Sequence, residues 1–87
     1  TLAVVLDFHL DEIAHVLHKA SVVLTDYQHK TYVSARSIDE VNVQLLAERM
    51  GGGGHLNMAG AQLDCGVEEA LEIVKHTIDK LHEEGEF

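Results

Sequence analysis

Four glycines in a row, Gly51, Gly52, Gly53 and Gly54, followed by His55, are the feature of this sequence best suited to hold a ligand. A glycine in regular structure costs roughly 0.5–1 kcal/mol relative to alanine, so a run of four asks for a reason. Glycine adopts positive φ freely and lets a ligand reach the backbone with no side chain in the way. Successive N–H groups in such a loop can converge on an anion. The run is not a P-loop, because no Lys-Ser/Thr pair follows it. It is not a dinucleotide fingerprint either, because a helical segment precedes it. Taken alone it reads first as a flexible helix-to-strand turn. His55 shifts that reading toward phosphate, since an imidazole there can donate a hydrogen bond to a phosphate oxygen or carry charge near neutral pH. The plainer alternative for His55 is an exposed histidine at a helix start. Ala59, Gly60 and Ala61 beyond it are small enough to pack closely beneath a pocket.

Arg36 is the second candidate. It is one of only six basic residues and sits where a strand ends and a capped helix begins. Its fork of donors suits a phosphate, as does a helix N-terminus beside it. Ser34 and Ser37 would add hydroxyl donors. The alternative pairs Arg36 with Asp39 or Glu40 on the surface, a contact that contributes little. Asn42 can hydrogen-bond a base or ribose, or simply sit in solvent on its helix. His15 and His18 are spaced i, i+3 with Asp11 one turn earlier, but no metal motif supports them, and a wet helical face is the better reading. Cys65 has no basic neighbour in sequence and reads as a packing residue rather than a nucleophile. No paired carboxylates and no Ser-His-Asp order stand out, so catalytic residues are not assigned to this chain.

The elements that would position these residues follow from hydrophobic spacing. Leu2–Leu6 is an apolar run that suits either a strand or an earlier start of the helix that follows. Leu10, Ile13, Ala14, Leu17 and Ala20 follow helical spacing and predict a helix over about residues 9–20. Val22–Leu24 and Lys30–Ala35 flank the polar turn Thr25–His29 and read as a hairpin, with Tyr32 and Ser34 on one face and Val33 and Ala35 on the other. Ser37-Ile38-Asp39-Glu40 has the form of a capping box, in which Glu40 reaches back to the Ser37 N–H. The helix it opens would bury Ile38, Val41, Leu45, Leu46 and Met50, and stop at Gly51. Ala61–Asp64 suits another strand. Val67, Ala70, Leu71, Val74, Ile78 and Leu81 form the apolar stripe of a last helix, with Glu68 and Glu69 in its first turn. The order predicts an α/β fold, a small mixed β-sheet packed with helices, as a single domain over residues 1–87.

Composition bounds the function. The 87 residues carry 15 acidic and 6 basic side chains, a formal net charge of −9. That balance argues against long DNA or RNA, where a basic face supplies most of the affinity. It also disfavours direct contact with an anionic membrane. A small phosphate ligand stays compatible with it, because a few local donors suffice. Cys65 is the single cysteine, so no intramolecular disulfide forms and a reducing, cytoplasmic setting is expected. No apolar stretch reaches the roughly 18–20 residues that span a bilayer. The simplest expectation is a domain cut from a longer polypeptide.

Residues 33–63, V-S-A-R-S-I-D-E-V-N-V-Q-L-L-A-E-R-M-G-G-G-G-H-L-N-M-A-G-A-Q-L, closely resemble the DHH-associated domain of DHH phosphoesterases. Within that family they look most like the GdpP/YybT group of bacterial cyclic di-AMP phosphodiesterases. The S-A-R-S element, the N-V-Q that follows and G-G-G-G-H-L together carry the likeness. The resemblance implies a two-domain hydrolase. A preceding DHH domain would hold two Mn²⁺ ions that activate water, and the cyclic dinucleotide would be opened to pApA. This domain would bind the nucleotide against those metals, through Ser34, Arg36, Ser37, Asn42 and the loop Gly51, Gly52, Gly53, Gly54 and His55. No cofactor and no metal would belong to this chain itself. Its implied partners are a cyclic dinucleotide or short oligonucleotide and the upstream DHH domain, with room for a homodimer. The parent would be membrane-anchored, with this domain on the cytoplasmic side. Two other readings stay open: the same domain of an oligoribonuclease or 3′-phosphoadenosine-5′-phosphate phosphatase, and a nucleotide-sensing module without catalysis.

Overall fold

A computed structural model describes residues 3–9, 19–38 and 41–87 of the chain. Seven elements follow in order: β1 (Ala3–His9), β2 (Lys19–Tyr27), β3 (Lys30–Ile38), α1 (Val43–Arg49), β4 (Gly53–His55), β5 (Met58–Leu63) and α2 (Val67–Glu83). The strands form one sheet in the order β1-β2-β3-β5-β4, and each neighbouring pair is antiparallel. The α/β class read from the sequence stands.

Strand alternation decides what the sheet does. On β2, Ala20, Val22 and Leu24 are buried; on β3, Thr31, Val33 and Ala35 are buried. These side chains meet Val43, Leu46 and Ala47 of α1 and Val67, Ala70, Val74, Ile78 and Leu81 of α2 in one core. Full burial of one such Val or Leu contributes about 1.5–3 kcal/mol, so both helices are held on that face. Thr31 is the buried polar residue of the core, and its hydroxyl donates to the Cys65 carbonyl at 2.9 Å. That bond ties β3 to the loop that launches α2. The opposite face of the sheet carries Tyr32, Ser34 and Arg36 of β3 and Met58 and Gln62 of β5, all exposed. No helix among the described residues covers it.

Three sequence expectations change. The helix over residues 9–20 does not hold at its ends: His9 lies in β1, and Lys19 and Ala20 lie in β2, paired in antiparallel register. Ala20 continues the buried alternation of Val22 and Leu24, so sheet packing overrides the helical spacing. Residues 10–18, with His15 and His18, lie outside the described residues. The apolar run at Leu2–Leu6, open in the sequence between strand and helix, falls in strand β1 from Ala3 onward.

The hairpin is present, but with longer strands and a turn reduced to Gln28 and His29, at φ of 50° and 66°. A two-residue turn with positive φ at both positions matches the right-handed twist of its strands, which is why it displaces the longer polar loop.

The capping box does not form. Ser37 belongs to β3, six residues before the helix begins, and its N–H donates to the Asn57 carbonyl at 3.0 Å. The helix starts at Val43, where Asn42 is the N-cap and its Oδ1 accepts from the Gln44 N–H at 3.1 Å. Ile38, expected to be buried, is 64% exposed because β3 runs on through it. Asp39 and Glu40 lie outside the described residues.

Candidate functional site

The glycine run divides into a turn and a strand. Gly51, at φ +84°, ends α1: its N–H donates to the Glu48 carbonyl at 3.1 Å, and the Gly52 N–H to that of Ala47 at 2.8 Å. This is a Schellman closure, with glycine in the left-handed conformation just past the C-cap Met50. The first two N–H groups of the run are therefore committed to the helix end and cannot join an anion nest. Gly53–His55 is strand β4, at the edge of the sheet and paired, among the described residues, with β5 alone. An edge strand leaves alternate N–H groups facing outward, and these are the donors still free to meet a ligand.

Packing explains three of the four glycines. A Cβ on Gly52 would lie 2.0 Å from the Gly60 carbonyl oxygen, and one on Gly54 would lie 2.5 Å from the Ala59 Cα. Gly51 needs its positive φ. Gly53 has no such need: a Cβ there meets nothing within 4 Å.

Register places the candidates in rows across the open face. Ser34 of β3 faces Gly60 of β5, which faces Gly53 of β4. Ser34 thus borders a strip two glycines wide, where the backbone is bare. The next row runs Arg36, Met58, His55. Adjacent strands lie about 4.8 Å apart, so the Arg36 and His55 backbones are roughly 10 Å apart. Both side chains are exposed, and a group lying over β5 is within reach of each. Beyond Arg36 the same row continues to Ser21 on β2 and the β1 position of Asp7.

The other candidates do not join this group. Ser37 sits on the alternate face of β3, where its hydroxyl donates to the Val41 carbonyl at 2.6 Å and accepts from the Asn57 Nδ2 at 3.0 Å. It links the β4–β5 turn to the segment before α1. Asn42 spends its carboxamide oxygen on the helix cap. The helix N-terminus expected beside Arg36 belongs to the covered side of the sheet, so it cannot assist the guanidinium. Sequence reasoning also passed over Met58 and Gln62, whose place on the open face only the β3–β5 register reveals.

Acidic side chains crowd α2, which also carries the exposed Lys75 and Lys80. Glu68, Glu69, Glu72, Asp79 and Glu83 are exposed on α2, behind the sheet. Among the described side chains of the open face, no strand position is acidic, while Arg36 and Lys30 are cationic; Lys30 stands 3.7 Å from Asp64. The groups with displaced acidity also lie away from this face. The Arg49 guanidinium donates to both Glu84 oxygens, which lowers that carboxyl and raises the arginine. Burial, and then the nearby Glu69 carboxylate, push the Cys65 thiol up. Among the described residues no three His, Cys, Asp or Glu side chains group as metal ligands.

A family model described as the DHHA1 domain matches residues 3–83. This chain belongs to the DHHA1 domain family. The domain is 54% identical over 54 residues to the cyclic-di-AMP phosphodiesterase GdpP of Bacillus subtilis (strain 168), covering 61% of this chain and 8% of that protein. It is 43% identical over 63 residues to the cyclic-di-AMP phosphodiesterase PdeA of Listeria monocytogenes serotype 1/2a (strain 10403S), covering 70% of this chain and 10% of that one. A solved exopolyphosphatase-related protein from Bacteroides fragilis superposes with a TM-score of 0.68 at 28% identity, over 72% of this chain and 19% of its own. The DHHA1 domain thus spans a tenth or less of the length of these two phosphodiesterases. No helix among its described residues is long and apolar enough to cross a membrane.

Proposed function

We propose that this DHHA1 domain holds the phosphates of a cyclic dinucleotide, cyclic di-AMP, on its open sheet face and presents them to a metal-bearing DHH domain of the same polypeptide. The observation that carries the reading is Gly53. It is the one glycine of the run that neither φ nor packing requires, and it lies in register with Gly60 and Ser34, one row from Arg36 and His55. A bare backbone there serves a ligand that must come close. Arg36 supplies a charged fork, His55 a ring N–H, and Ser34 a hydroxyl.

In this reading the two Mn²⁺ ions, and the water they would activate, belong to the other domain. This domain's part is binding and orientation, which convert a bimolecular encounter into a placed one. The relatives' names support cyclic di-AMP as the substrate; opening one of its two phosphodiester bonds would give pApA. In this reading the parent is a bacterial signalling enzyme and this domain lies on its cytoplasmic side.

The test is hydrolysis by the domain joined to its preceding polypeptide. Mn²⁺-dependent conversion of cyclic di-AMP to pApA is expected, with Arg36→Ala and His55→Ala each lowering kcat/KM about 10- to 100-fold, the scale of one lost charge-assisted contact. Unchanged turnover in both variants would overturn the site. Preferential cleavage of short oligoribonucleotides would move the substrate to the oligoribonuclease reading.

A further inference from the structure

The phosphate site uses one end of the open face and leaves the other end to be explained. Two residues along from the Ser34–Gly60 pair stands the pair Tyr32–Gln62, in direct register between β3 and β5. Alternation puts both side chains on the open face, and both are exposed, Tyr32 at 43%. Two residues of strand span about 6.5–7 Å, a length comparable with the separation of phosphate and base within one nucleotide.

We infer that Tyr32 and Gln62 form a base subsite that favours adenine over guanine, in the nucleotide whose phosphate lies on the Ser34–Gly60–Gly53 strip; the inference rests on the phosphate reading above. Aromatic rings are scarce here, with two Tyr, two Phe and no Trp in the chain. A half-exposed ring in the middle of the open sheet face, flanked in register by Thr25 and Gln62, is an aromatic surface on which any base can stack. Discrimination then falls to Gln62. Its carboxamide presents one acceptor and one donor group, which match the N6 donor and N7 acceptor of adenine. Guanine presents two acceptors, O6 and N7, on the same edge, which leaves the Gln62 oxygen facing an acceptor.

Titration of the 87-residue chain with AMP, GMP and ribose 5-phosphate tests this. AMP should bind about tenfold more tightly than ribose 5-phosphate, the scale of one base–aromatic stack. Tyr32→Leu should erase that advantage while leaving ribose 5-phosphate affinity within about twofold, and Tyr32→Phe should retain it. Tyr32→Thr, which keeps strand propensity, replaces the leucine variant if that chain fails to fold. Gln62→Ala should equalise AMP and GMP, with both still tighter than ribose 5-phosphate. Equal binding of AMP and ribose 5-phosphate by the unaltered chain overturns the subsite. So does an AMP advantage that survives loss of the ring, or an AMP-over-GMP preference that survives Gln62→Ala. Failure of the phosphate reading looks different: AMP affinity would fall in Tyr32→Leu and be untouched by Arg36→Ala.

Discussion

Gly52 and Gly53 are neighbours with opposite prospects. An added methyl at Gly52 would drive into the Gly60 carbonyl, so Gly52→Ala should destabilise the domain by about 1–3 kcal/mol, the usual cost of overpacking. Gly53→Ala meets open space and should leave stability within about 0.5 kcal/mol. Thermal melts of the two variants separate them. If Gly53→Ala proves as damaging as Gly52→Ala, the fold needs that glycine and the main support for a ligand there is gone. In the sequence the four glycines look alike. Their roles divide only once β5 is known to pass beside them, so the run signals a special backbone without saying which residue serves the ligand. Arg36 and Ser34 are more legible, because two-residue alternation puts both on the face opposite Val33 and Ala35.

At the scale of elements, the two long-range features that place the site, the β3–β5 register and the pairing of β4, leave little local trace. Gly53-Gly54-His55 has none of the β-branched residues that mark a strand, and becomes one because β5 offers it a partner. The start of α1 misleads for a related reason. Ser37 has the residue type and spacing of a cap, but its N–H and hydroxyl are taken by Asn57 and Val41. Asn42 does the capping, so Asn42→Ala should cost about 1 kcal/mol of stability without altering nucleotide affinity. Denaturant unfolding paired with a binding titration checks this. A large affinity loss at unchanged stability would return Asn42 to the ligand site. The α2 stripe, by contrast, is readable because Val67, Ala70, Val74, Ile78 and Leu81 meet the core by helical spacing alone.

Across the whole molecule, the net charge of −9 and a phosphate ligand are compatible because a few local donors suffice, and Arg36 and Lys30 stand on the open face. Long single-stranded DNA should therefore bind poorly even where short nucleotides bind, which a comparison at one salt concentration reads directly. At the far end of the molecule, Arg49 ties α1 to the end of α2 through Glu84, whose carboxyl sits below its ordinary value. A lowered folded pKa contributes stability above the unfolded value and loses it as pH falls through the folded one. Both side chains are nearly half exposed, so salt screens the link. Glu84→Gln should flatten part of the acid-side loss in melting temperature as pH falls through the carboxylate range, most clearly at low salt. An unchanged acid profile would mean the pair contributes nothing. The central claim is that nucleotide phosphate lies on the open face. It is tested most directly by following backbone amides of the ¹⁵N-labelled chain while cyclic di-AMP is added. Shifts are predicted at Ser34, Arg36, Gly53, His55 and Gly60, with the outer face of α2 silent. Shifts confined to α2, or to the hairpin tip around Gln28 and His29, would contradict it.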